Sequence, residues 1–114
     1  MTITLYGIPN CDTVRKARDW LTERALAYTF HDYKKVGADP AKLAEWCRAA
    51  GWEKILNRAG TTFRKLPEAK KLGLDEAKAI DLMAANPSCI KRPVVEHLGG
   101  LLVGFDPAAW AAAL

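Results

Sequence analysis

The sequence predicts an α/β fold built on one mixed four-stranded sheet, and three observations carry that prediction. A β-favouring run, an amphipathic helix and a second β-favouring run follow one another within the first 33 residues. Helical periodicity dominates the middle, and two short β-favouring runs around a Gly-Gly pair precede an alanine-rich end. Strands and helices in this order give a sheet covered by helices rather than a bundle or a sandwich. At 114 residues, 50% of them hydrophobic and 26% charged, the chain suits a single domain, residues 1–114, able to bury enough apolar surface to offset its ordering entropy.

Each element has a local reason. Residues 3–6 form the first β-favouring run, which stops at Gly7 and Pro9. A helix begins just after Cys11: Val14, Ala17 and Leu21 recur at helical spacing, Trp20 extends that stripe, and Arg15, Lys16, Arg18, Asp19 and Glu23 fill the other positions. Residues 27–33, rich in aromatic and β-branched side chains, suit a strand parallel to the first. Pro40 then opens a helix in which Leu43, Trp46, Cys47 and Ala50 follow the i, i+3, i+4, i+7 pattern, and Gly51 closes it. Residues 57–62 have turn chemistry and residues 63–72 hold a short helix. Residues 75–85 form a further helix with Ala77, Ile80 and Ala84 inward, stopped by Asn86-Pro87. Residues 94–97 and 101–103 read as a hairpin around Gly99-Gly100, and Pro107 opens the last helix.

Charge and targeting narrow the function classes. The net charge of +4, from 17 Lys and Arg against 13 Asp and Glu, comes without a long basic run, so no nucleic-acid partner is expected. The N-terminus has no basic n-region or apolar stretch of signal-peptide length. No apolar run approaches the roughly 20 residues of a membrane-spanning helix. The expected setting is therefore the cytoplasm, where thiols stay reduced.

Three cysteines, Cys11, Cys47 and Cys89, cannot all pair with one another. Cys11 lies in the loop between the first strand and the first helix. A right-handed crossover puts that loop at the carboxyl end of the strands, where ligands bind. The reactive form of cysteine is the thiolate, and the unpaired N–H groups of a first helical turn, here those of Thr13 and Val14, favour negative charge. The Thr13 hydroxyl and Arg15, four residues after Cys11, are further candidates to support it, and Asp12 opposes them. The alternative is that Cys11 only caps the helix as a small residue. Cys47 falls on an apolar helix face and reads as core; Cys89, near Arg92-Pro93, is either a resolving thiol or a buried bystander. Val14 stands where a C-x-x-C motif would place its second cysteine. A mixed disulfide on Cys11 would thus be released by an external thiol or a distant cysteine. The cysteines match no zinc spacing with His31 and His97, so no metal is expected and both histidines read as surface or structural residues.

The run Tyr6-Gly7-Ile8-Pro9-Asn10-Cys11-Asp12-Thr13-Val14-Arg15-Lys16-Ala17, the run from Asn86 through Arg92-Pro93 to Val95, and the late Val103-Gly104-Phe105 resemble the arsenate-reductase-like (ArsC/Spx) family of thioredoxin-fold proteins. The likeness is to its small YffB-type members, whose Asn-Arg-x-Gly-Thr-Thr-x-Arg-Lys-Leu segment is matched by residues 57–66. The resemblance implies a thioredoxin-like fold with a helical insertion at about residues 38–88, Cys11 as nucleophile, and a cis bond before Pro93 facing it. It also implies glutathione as co-substrate for reduction of a disulfide or glutathione mixed disulfide. Arg92 matches an anion-binding arginine of the family; its planar fork suits a carboxylate or oxyanion, with Arg58 as a second contributor. Two alternatives come with the resemblance. One is a glutaredoxin-coupled arsenate reductase, weakened because Phe105 stands where such enzymes carry an arginine. The other is an Spx-type transcriptional regulator binding RNA polymerase, weakened by Val14. A monomer is expected.

Overall fold

The computed structural model describes residues 3–114; Met1 and Thr2, part of the N-terminal stretch in which no signal-peptide pattern is expected, lie outside the described residues. The chain runs through β1 (Thr4–Gly7), α1 (Asp12–Glu23), β2 (Thr29–Asp32) and α2 (Tyr33–Val36). It continues through α3 (Pro40–Ala50), α4 (Trp52–Ile55), α5 (Thr61–Arg64), α6 (Glu68–Lys71), α7 (Glu76–Ala85) and a 3-10 turn (Pro87–Cys89). It ends with β3 (Val94–His97), β4 (Gly100–Val103) and α8 (Pro107–Ala113). Two compact units result: one holds the chain up to Val36 together with Arg92–Leu114, the other is Gly37–Lys91.

The first unit carries the mixed four-stranded sheet, in the order β2-β1-β3-β4. β1 runs parallel to β2 and antiparallel to β3, and β3 runs antiparallel to β4. Because side chains alternate along a strand, Leu5 and its partner Val95 share one face, and they join Ile3, Val14, Ala17, Trp20, Leu21 and Trp110 in one buried cluster. The α1 stripe is the one its periodicity predicts: Val14, Ala17, Trp20 and Leu21 are its buried residues. Trp110 anchors α8. Its ring meets Trp20 and Phe105 edge-on at centroid distances of 5.6 and 4.9 Å, and its Nε1 donates to the Gly104 carbonyl at 3.1 Å.

The second strand is shorter than residues 27–33, and Tyr33 opens a helix instead of closing the strand. The Asp32 carboxylate accepts from the Lys34 amide at 2.8 Å, a local side-chain bond that competes with continuation of the ladder.

The second unit is helical. Asp39 caps α3, Pro40 fills its first turn, and Gly51 at φ +91° ends it. α3 packs on α7 and buries Leu43, Trp46 and Cys47. The buried residues of α7 are Ala79, Leu82 and Met83, not the Ala77, Ile80 and Ala84 stripe. Apolar residues surround most of this helix, so periodicity does not select a face, and the larger area of Leu82 and Met83 does. The single helix expected at residues 63–72 is two, α5 and α6, parted by Pro67, which has no N–H to continue the first. α5 begins at Thr61, within the expected turn, and α4 was not anticipated. Ile55–Asn57 and Cys89–Lys91 are tied by a Leu56–Ile90 bridge, with Asn57 N donating to the Cys89 carbonyl at 2.7 Å and Lys91 N to that of Ile55 at 2.8 Å. Among the described residues no helix is long and apolar enough to cross a membrane.

Candidate active site around Cys11

β1 delivers the chain to Cys11 through a tight turn. The Cys11 amide donates to the Ile8 carbonyl at 3.3 Å, and Pro9 and Asn10 occupy the central positions that favour such residues. Cys11 is then the N-cap of α1: its backbone is extended (φ −96°, ψ 125°), and its carbonyl accepts from the Arg15 amide at 2.9 Å. Its side chain makes no capping hydrogen bond. The thiol is partly exposed and packs against the buried cluster, as Phe105 also does.

The approach of β1 to α1 depends on Gly7. A Cβ there would lie 2.8 Å from a Val14 methyl, closer than carbon atoms tolerate, and Val14 is fully buried. Thus the position three residues after Cys11 is occupied by core. Thr13, in the same first turn, is exposed. The Arg15 guanidinium pairs with the Asp12 carboxylate, both well exposed, so the two opposed charges near Cys11 engage each other.

The Arg92-Pro93 bond is cis. β3 starts at Val94 opposite Tyr6, so Pro93 stands at the end of the sheet where β1 runs into the Cys11 turn. The Pro93 carbonyl there accepts from the Gly104 amide at 2.8 Å. Arg92 is half-buried and has no ion pair or side-chain hydrogen bond among the described residues. Arg58 belongs to the second unit, is exposed, and places its guanidinium carbon 5.6 Å from the Trp52 ring centroid.

Cys47 and Cys89 are both buried in the second unit, and no disulfide joins the three cysteines. Burial, then the Glu76 charge, pushes the Cys47 thiol up from its ordinary pKa. His97 Nδ1 accepts from the Gly99 amide at 3.1 Å, a structural role in the hairpin turn. Among the described residues no group of three or more His, Cys, Asp or Glu could hold a metal ion.

A polar cluster on the first unit's sheet escaped the sequence. Tyr6 donates to Glu96 at 2.6 Å, and its ring lies 4.8 Å from that of His31 and 6.2 Å from that of Tyr33. Among the described residues the buried Tyr33 hydroxyl has no hydrogen-bond partner. Burial, then Tyr6 and Glu96, raises its pKa above the ordinary tyrosine value. The only sequence signal was strand alternation, which places Tyr6 opposite His31 once the register is fixed.

The model of the ArsC family matches residues 6–113. A solved structure of a protein named YffB (PA3664) is 63% identical, with each chain covered over 98% of its length and a TM-score of 0.96. An arsenate reductase (ArsC) related protein from Brucella melitensis is 54% identical over 98% of this chain and 93% of its own, with a TM-score of 0.78. The global transcriptional regulator Spx of Streptococcus pyogenes is 28% identical over 107 residues, covering 91% of this chain and 78% of the regulator.

Proposed function

Because the chain belongs to the ArsC family, we propose that it is a thiol-disulfide oxidoreductase, a glutathione-dependent reductase with Cys11 as its nucleophile. The observation that carries the reading is the state of Cys11: partly exposed, at the first turn of α1, with its sulfur making no capping bond. The Cys11 thiolate attacks the glutathione sulfur of a mixed disulfide R–S–SG. The S–S bond breaks, RS⁻ leaves and takes up a proton, and Cys11 carries glutathione. A second glutathione, as thiolate, attacks that mixed disulfide, releases Cys11 and leaves as oxidised glutathione. With core at position 14, the second thiol comes from solution.

In this reading the first-turn amides and the Thr13 hydroxyl favour the thiolate, and Pro93 borders the sulfur. Arg92 holds a glutathione carboxylate in its planar fork. Arg15 contributes when its pair with Asp12 opens. The protein works as a monomer in the reducing cytoplasm, without a metal.

Intact mass spectrometry after incubation with oxidised glutathione tests the reading. The native chain is expected to gain one glutathione and Cys11→Ser none; addition that persists in the variant would move the chemistry to Cys89 or Cys47 and overturn it. The likeness to Spx supports a second reading, a regulator docked on RNA polymerase. Co-elution with the polymerase, without glutathione addition, would favour it. Arsenate-dependent NADPH consumption in an assay coupled through glutathione and glutaredoxin would instead identify arsenate as a substrate.

A further inference from the structure

The exposed face of α1 carries a second feature, one turn beyond the cysteine. Arg15, Arg18, Asp19 and Thr22 follow the i, i+3, i+4, i+7 spacing and, with Tyr28, line a groove of about 300 Å³. We propose that this groove binds a zwitterionic α-amino acid group, an ammonium and a carboxylate on one carbon.

The donors and acceptors still available there form a matching pair. Arg18 is held in place: its Nε donates to the Tyr28 hydroxyl at 2.9 Å, and its guanidinium carbon lies 4.2 Å from the Phe30 ring centroid. Its terminal nitrogens remain to donate. The Tyr28 oxygen accepts from Arg18, which leaves its own O–H to donate as well. A carboxylate meets both. The Thr22 hydroxyl donates to the Arg18 carbonyl at 3.0 Å and keeps its oxygen as an acceptor beside the Asp19 carboxylate, which has no ion pair among the described residues. An ammonium meets those two. Arg15 is neutralised by Asp12, so the groove presents one uncompensated cation and one uncompensated anion. A simple anion would face Asp19 and a simple cation Arg18; a zwitterion satisfies both.

The γ-glutamyl end of glutathione carries this group. Arg18 stands seven residues after Cys11, about 10 Å along the helix axis, and the extended path from the Cys11 sulfur across an S–S bond to the γ-glutamyl α-carbon of glutathione covers about the same length. The choice of glutathione as source rests on the reductase reading; the ligand class does not.

The test uses the full chain as Cys11→Ser, so that no covalent step intervenes, and follows backbone amide NMR shifts. S-methylglutathione is expected to shift Arg18, Asp19 and Thr22 and to saturate. N-acetyl-S-methylglutathione, lacking the ammonium, and the Asp19→Asn and Tyr28→Phe variants are each expected to weaken binding about tenfold. L-glutamate binding as tightly as the tripeptide analogue would keep the ligand class and make a free amino acid the source. Shifts confined to other residues, or an affinity unmoved by N-acetylation and by Asp19→Asn, would overturn the proposal. The spectrum of each variant reports its fold directly. Absence of glutathione on native Cys11 with the groove still occupied would sink the reductase reading alone; the converse would sink the groove alone.

Discussion

Among the described residues four helices of seven or more residues begin, and one of them begins differently. Asp39, Asp75 and Asp106 cap α3, α7 and α8, accepting the amides of Ala41, Lys78 and Ala108 at 3.0, 2.8 and 3.2 Å. α1 begins on Cys11, whose side chain makes no capping hydrogen bond. A carboxylate or hydroxyl cap typically contributes about 0.5–2 kcal/mol, which α1 forgoes. The contrast is instructive because the same chain solves the same problem three times with aspartate. At α1 the amides of the first turn stay available to whatever occupies the site, and the residue beside them is the proposed nucleophile rather than a cap.

The contrast can be broken most directly at Cys11. Cys11→Ser is expected to drop glutathione-dependent disulfide reduction to background while raising stability by about 1 kcal/mol, as a hydroxyl caps the helix. Turnover assays and urea melts read the two effects, and a variant that lost both would show that the cysteine is structural. Gly7→Ala is expected to cost about 1–3 kcal/mol, because the new methyl overpacks against Val14. A melt unchanged by it would mean the α1 start can shift freely. Asp39→Ala, Asp75→Ala and Asp106→Ala should each cost about 1 kcal/mol without touching turnover, in contrast with Cys11→Ser.

Tyr33 offers the smallest effect and a pH signature. Its pKa is raised in the folded state by burial, then by Tyr6 and Glu96, so its neutral form contributes stability below the unfolded-state value of about 10. That contribution is lost as pH climbs above it, since only the unfolded chain ionises there. Tyr33→Phe should hold or slightly raise stability at neutral pH, by up to about 1 kcal/mol for removing an unpartnered hydroxyl. It should also flatten the alkaline loss in melts on either side of pH 10. A large neutral-pH loss would show that the hydroxyl has a partner.

The fold was legible where punctuation is local. Pro40, Gly51, Asn86-Pro87, Gly99-Gly100 and Pro107 mark element ends that the structure keeps within a residue or two. The α1 stripe follows from spacing alone. The inward face of α7 did not, because its apolar residues surround the helix and only packing against α3 chooses among them. Of the site, the position of Cys11 was readable from a strand, a turn and a helix in sequence. The engagement of Arg15 by Asp12 and the meeting of Tyr6, His31, Tyr33 and Glu96 were not, since both depend on rotamers and register that no short window encodes.

The tie between Ile55–Asn57 and Cys89–Lys91 has a consequence for timing. Asn57 N holds the carbonyl of Cys89 itself, and Lys91 N holds that of Ile55, so the neck of the 57–89 loop opens only when these amides become available to solvent. Deuterium uptake at Asn57 therefore acts as a clock for Cys89. If oxidation ever recruits that thiol, protection at Asn57 and Lys91 must fall in step with it, whereas unchanged protection factors through a full oxidation cycle would confine Cys89 to the interior.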